Sequence, residues 1–223
     1  MVRIQSLEEA GMAPNQIRLK TFTLSLAAVA ATEILAWVVI SRFSIHSMLA
    51  LALIRIIQSG LVVGIVIGQE KGLDAIGWDP CTWPEGFKKG IVWSMGFGLL
   101  AGCAMAAVYL SGRNPIRMLR SPLPATDMEL IAFFLTGGIV APVAEELFFR
   151  GILYSYFRRW GIIAALAAST TLFVALHSVH GLPLTQIAGG LVFAVAYEIS
   201  GNLMVPITIH SLGNLAIFGL SLL

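Results

Sequence analysis

Three short polar patterns interrupt long apolar stretches of this 223-residue chain. Glu145-Glu146-Leu147-Phe148-Phe149-Arg150 reads EExxxR, Phe173-Val174-Ala175-Leu176-His177 reads FxxxH, and His210-Ser211-Leu212-Gly213-Asn214 reads HxxxN. On a helix, residues i and i+4 share a face. Arg150 is therefore placed to neutralise Glu146, while Glu145 points about 100° away and stays available. His210 and Asn214 likewise present an imidazole and an amide together. A carboxylate held out of bulk water can act as a general base near neutral pH, and a histidine beside it can hold the same water. A second histidine and an amide can donate hydrogen bonds to a developing oxyanion. Together these groups would hydrolyse an amide bond without a covalent intermediate. No serine or cysteine stands with a paired base as a nucleophile.

The elements that must carry these groups are membrane helices. The chain is 57% hydrophobic and only 12% charged, with mean hydropathy +0.86, whereas soluble domains carry about 25% charged residues. Lipid must therefore solvate much of the surface. A net charge of +2 gives no reason to expect a nucleic-acid partner. Seven stretches approach the roughly 20 apolar residues that cross a bilayer core: Thr21–Ile40, Met48–Gly68, Gly90–Ser111, Met128–Phe149, Gly161–Val179, Pro183–Ile199 and Leu203–Leu223. Backbone polar groups in lipid must be satisfied within the segment, so helices are the default. The expected fold is an all-α, polytopic transmembrane bundle of about seven spans. Met1–Lys20 is expected to form a cytoplasmic or interfacial segment, and residues 21–223 a single domain holding the motif region at 128–214. No cleavable signal peptide is expected. Cys103 lies in an apolar stretch, so a disulfide with Cys81 is not expected.

Helix rise brings the motifs to one level. With a turn at Trp160–Gly161, Glu145 lies 16 residues before Gly161 and His177 lies 16 after it, each about 24 Å from the turn. The fourth helix must then continue past Arg150 towards Arg159. In the last hairpin, turning near Gly201, His210 and Asn214 lie about 14 and 20 Å up. Elsewhere, Glu33 and Arg55 are each about 11 residues from a turn near Ser44–Ile45 and are expected to form a structural ion pair. Glu198 ends its span and is expected near the interface, and His180 in a loop. Nine basic residues (Arg3, Arg18, Lys20, Lys71, Lys88, Lys89, Arg150, Arg158 and Arg159) fall on one side of an alternating path. Four (Arg42, Arg113, Arg117 and Arg120) fall on the other. This asymmetry predicts a cytoplasmic N-terminus and places the cluster in the outer half of the membrane.

In this order and on separate apolar segments, the three motifs resemble the CPBP family of CAAX prenyl endopeptidases and bacteriocin-processing proteins. The resemblance covers about Met128 to Asn214. It implies a glutamic-type intramembrane endopeptidase without a metal or other cofactor, in which Glu145 and His177 activate water. His210 and Asn214 would stabilise the oxyanion, with Glu146 and Arg150 in support. The implied substrate is a membrane-anchored protein or peptide: a prenylated chain, a bacteriocin, or one bearing a C-terminal sorting signal. The implied location is a bacterial inner membrane, crossed several times. Three alternatives stand beside this one. Two glutamates and two histidines can bind zinc, as in an intramembrane metalloprotease, although there is no HExxH and Arg150 opposes a cation near Glu146. A transporter also uses buried Glu and His, but predicts broken helices in two related halves, which the sequence does not show. A non-catalytic immunity or binding protein could use the same scaffold.

Overall fold

A computed structural model describes residues 16–43, 47–177 and 183–223. Most of Met1–Lys20, the turn at Ser44–Ile45 and His180 lie outside the described residues. Among those described, every regular element is helical. Seven apolar helices follow one another: α1 Leu19–Phe43, α2 Ser47–Glu70, α3 Trp83–Leu110, α4 Asp127–Trp160, α5 Ile162–Ala175, α6 Leu184–Ser200 and α7 Met204–Ser221. Five of them (α1, α2, α3, α4 and α7) are long and apolar enough to cross a membrane. The other two, α5 and α6, have 14 and 17 residues, or about 21 and 26 Å against a core of about 30 Å. The chain is an integral membrane protein, and its seven expected spans resolve into five of full length and two shorter helices.

The third helix begins at Trp83 rather than Gly90. Pro84 opens its first turn, where a missing N–H costs nothing. This first part of α3 is not lipid-embedded filler: Gly86 and Gly90 are buried against α7 and its approach. A Cβ on Gly90 would meet Thr208 Cβ at 2.5 Å, so glycine permits the close approach of α3 to α7.

Helix α4 runs unbroken from Asp127 to Trp160, as the level of Glu145 and His177 required. Thr126 caps it by accepting from the Glu129 amide, which satisfies an otherwise orphan donor. Gly161, at φ 100°, ends it, a conformation that favours glycine. Within it lie two π-helical segments, Thr136–Val140 and Leu147–Tyr154. Pro142 follows the first, and a proline ring inside a helix removes one hydrogen bond and crowds the carbonyl four residues back. In the second, the Ser155 hydroxyl donates to the Arg150 carbonyl, 3.1 Å away and five residues back.

The centre of α4 is the hub of the bundle. It packs on α2, α5 and α7, while α1 pairs with α2, α3 with α7, and α6 with both α5 and α7. Leu147, Ile152, Leu153 and Tyr154 of α4 are buried with Ala165, Phe173, Ala194, Tyr197 and Ile209. The outward faces carry large apolar side chains such as Trp37, Leu99 and Ile163, which suit lipid.

Polar contacts gather the start of α1 and three of the links at one side. The Arg18 amide donates to Glu70 at 2.8 Å, and Arg159 donates to the Ile17 carbonyl. Phe22 stacks on Tyr156 with ring centres 4.0 Å apart. Arg158 grips Glu198 through Nε and Nη2 at 2.9–3.1 Å, and Tyr154 donates to the same carboxylate at 2.8 Å. The Leu203 amide donates to the Gly77 carbonyl at 2.8 Å. The start of α1 and the α2–α3, α4–α5 and α6–α7 links therefore share one face. Arg150 does not belong with those link charges, because its side chain lies inside the bundle with 0% exposure.

Candidate active site

Helix α4 carries Glu145 and Glu146 between its two π segments, and their side chains diverge. Glu146 and Arg150 form an ion pair of 3.0 Å with neither side chain exposed. The guanidinium also donates to the Gly190 carbonyl of α6 at 2.9 Å and lies over Phe173 and Phe193, 5.0 and 5.3 Å from their centres. A Cβ on Gly190 would meet Thr170 of α5 at 2.9 Å, so its absence lets α6 lean close enough to present that carbonyl. These bonds offset part of the cost of burying an ion pair; Glu146 Oε2 and Arg150 Nε are buried with no hydrogen-bond partner among the described residues.

His210 of α7 completes this closed side. Its Nδ1 lies 2.7 Å from Glu146 Oε1, and Phe193 stacks on its ring at 4.6 Å. An ionised carboxylate only accepts, so Nδ1 carries the hydrogen. Nε2 then faces Glu145 Oε2 at 3.7 Å. From the other side, His177 Nε2 approaches the same oxygen to 3.6 Å. His177 lies just beyond the end of α5, with Nδ1 2.6 Å from the Phe173 carbonyl and its ring 4.3 Å from that of Phe173. One carboxylate oxygen thus faces two imidazole nitrogens from two other helices. Both separations exceed a direct hydrogen bond.

Exposure grades across the cluster. His177 is 30% exposed and Glu145 17%, against 6% for His210 and none for Glu146. Among the described residues the cluster is most open at His177 and most closed at Glu146. Asn214 lies one turn beyond His210, and its amide nitrogen donates to the Gly137 carbonyl at 2.8 Å, in the first π segment of α4. That bond uses one of its two N–H groups.

The structure thus brings Glu145, Glu146, Arg150, His177 and His210 into one cluster and ties Asn214 to its edge. Sequence reasoning did not find the His210–Glu146 contact, because it needs the rotation of α7 about its axis. Nor did it find Gly190, for which the Gly189-Gly190 pair was the available signal. Glu33 and Arg55 form their expected ion pair. Glu198 meets Arg158, the partner that their shared side of the bundle allowed.

Residues 127–216 match the family model of the type II CAAX prenyl endopeptidase Rce1-like proteins. An uncharacterized 24.3 kDa protein of Escherichia coli is 36% identical over 88 residues, which cover 37% of this chain and 41% of that relative. No solved structure matches the chain. All seven residues that define the three motifs fall within the matched segment.

Proposed function

We propose that this chain, which carries an Rce1-like region over residues 127–216, is a glutamic-type intramembrane endopeptidase that cuts a membrane-anchored or lipidated protein. The observation that carries this reading is the convergence of His177 Nε2 and His210 Nε2 on one oxygen of Glu145, at 3.6 and 3.7 Å. A water seated against Glu145 and His177, at about 2.8 Å from each, gives a proton to the carboxylate as its oxygen attacks the scissile carbonyl. The C–N bond then breaks, and the proton passes from Glu145 to the departing amine.

Asn214 and His210 serve the oxyanion. Asn214 has an amide N–H beyond the one bonded to Gly137. His210 already donates from Nδ1 to Glu146, so it donates from Nε2 only with a second ring proton. Preorganised donors of this kind are worth about 10²–10³ in turnover each. Glu146 and Arg150 hold His210 and the helix, and do not touch the reactant.

The reading needs no metal. Glu146 Oε1 already accepts from Arg150 and His210, and a guanidinium beside it opposes a dication there. The test is purified protein in lipid nanodiscs with a quenched fluorescent peptide carrying a C-terminal prenylated cysteine motif. Cleavage at one bond, unaffected by chelators and without stoichiometric zinc by elemental analysis, is the expected result. Chelator loss with recovery on adding zinc would replace it with the metalloprotease.

A further inference from the structure

Asn214 is anchored on a carbonyl that the main-chain ladder of α4 passes over. In the first π segment the Ala141 amide donates to the Thr136 carbonyl, five residues back. In an ordinary α turn it would donate to Gly137, four back. The donor that would continue the π ladder onto Gly137 is residue 142, and Pro142 has no N–H. The Gly137 carbonyl accepts instead from the Asn214 amide of α7, at 2.8 Å. Helix α7 lies close on this turn: a Cβ on Gly138 would meet Leu215 at 2.5 Å, and one on Gly137 would meet the Phe218 ring at 3.1 Å.

Each side of this contact needs the other. A carbonyl freed by proline in a membrane helix has to find its donor on a neighbouring helix. An asparagine amide without a fixed partner turns easily, because its terminal torsion has broad minima rather than sharp staggered wells. Bonded to Gly137, the amide is held with one N–H engaged and one remaining. Pro142 is buried in residues 141–146 of α4, three residues before Glu145. The same short run of chain therefore carries the carboxylate and fixes the amide across from it.

We propose that Pro142 is a positioning residue. By withholding a donor from Gly137 it reserves that carbonyl for Asn214, and so sets the orientation of the amide that serves the oxyanion. It touches no reactant itself. The consequence for turnover rests on the proteolytic reading, whereas the anchoring of Asn214 does not.

The test is Pro142→Ala, which restores the missing N–H. If the turn stays π, residue 142 donates to Gly137; if it relaxes to α, Ala141 does. Either bond draws the carbonyl back along the helix axis and away from α7. The thermal unfolding midpoint should equal or exceed that of the wild type, because alanine suits a helix interior and proline does not. Cleavage of the quenched peptide should slow by at least about tenfold, and by no more than the about 10²–10³ of one lost oxyanion donor. The loss should fall on kcat rather than KM, as for an interaction made only in the transition state. Pro142→Ala/Asn214→Ala should be no slower than Asn214→Ala alone, since coupled residues do not add. A merely structural role for Pro142 would lower the midpoint together with the rate and multiply the two losses. That pattern, or wild-type kcat in Pro142→Ala, would overturn the proposal. Hydrogen exchange of the Asn214 side-chain amide, read by NMR on ¹⁵N-asparagine protein in nanodiscs and assigned by its absence from Asn214→Ala, follows the anchoring without cleavage. Protection in the wild type that is lost in Pro142→Ala supports the role even if neither protein cuts the peptide. Equal exchange in the two proteins overturns it.

Discussion

Arg150 engages the Glu146 carboxylate, the Gly190 carbonyl and the faces of Phe149, Phe173 and Phe193. Removing it leaves Glu146 buried with only His210 as partner, and an uncompensated buried charge costs about 3–5 kcal/mol. Arg150→Met should therefore lower the thermal unfolding midpoint in detergent sharply. Glu146→Leu combined with Arg150→Met should recover much of that stability without recovering turnover. At this scale the sequence was readable where spacing along one helix decides contact, as for Glu146 with Arg150. It was silent where two helices must meet at a particular rotation. The bond from His210 to Glu146, and the bond from Asn214 to Gly137, belong to that second kind.

Among the elements, apolar length and punctuation located all seven helices, and rise per residue predicted that α4 runs through to Arg159. Composition carried no signal for the two π segments that bracket Glu145 and Glu146, apart from Pro142 at the first. These segments matter because each π turn changes the angle between successive side chains, and such turns recur at functional sites. The register between α3 and α7 is equally specific. Gly90 has no room for a Cβ beside Thr208, two residues before His210, whereas Gly102 meets nothing within 4 Å. Gly90→Leu should cost about 1–3 kcal/mol by overpacking and depress turnover by moving His210. Gly102→Leu should leave both unchanged. Thermal unfolding and peptide cleavage, measured on the two variants side by side, check this.

For the molecule as a whole, contacts among Ile17, Arg18, Glu70 and Arg159 place the start of α1 and the α2 and α4 ends on one face. We propose that this face is cytoplasmic. Arg150 drops out of the charge count, but the remaining asymmetry keeps its sign: Arg18, Lys20, Lys71, Lys88, Lys89, Arg158 and Arg159 stand against Arg42, Arg113, Arg117 and Arg120. In a variant lacking Cys81 and Cys103, a cysteine at exposed Lys88 should resist a membrane-impermeant thiol reagent in intact cells. One at exposed Arg113 should react. The reverse pattern would turn the site towards the cytoplasm.

The central claim is that Glu145, facing two imidazoles, activates the attacking water. Its most direct test is single-turnover cleavage of the prenylated peptide by Glu145→Gln, with thermal unfolding and peptide binding measured on the same preparation. Glutamine keeps the size of the side chain and removes its capacity as a base. The account predicts a folded protein that binds peptide and cleaves at least about 10²-fold more slowly, the lower range for losing a general base. A folded Glu145→Gln protein that cleaves at the wild-type rate would contradict it.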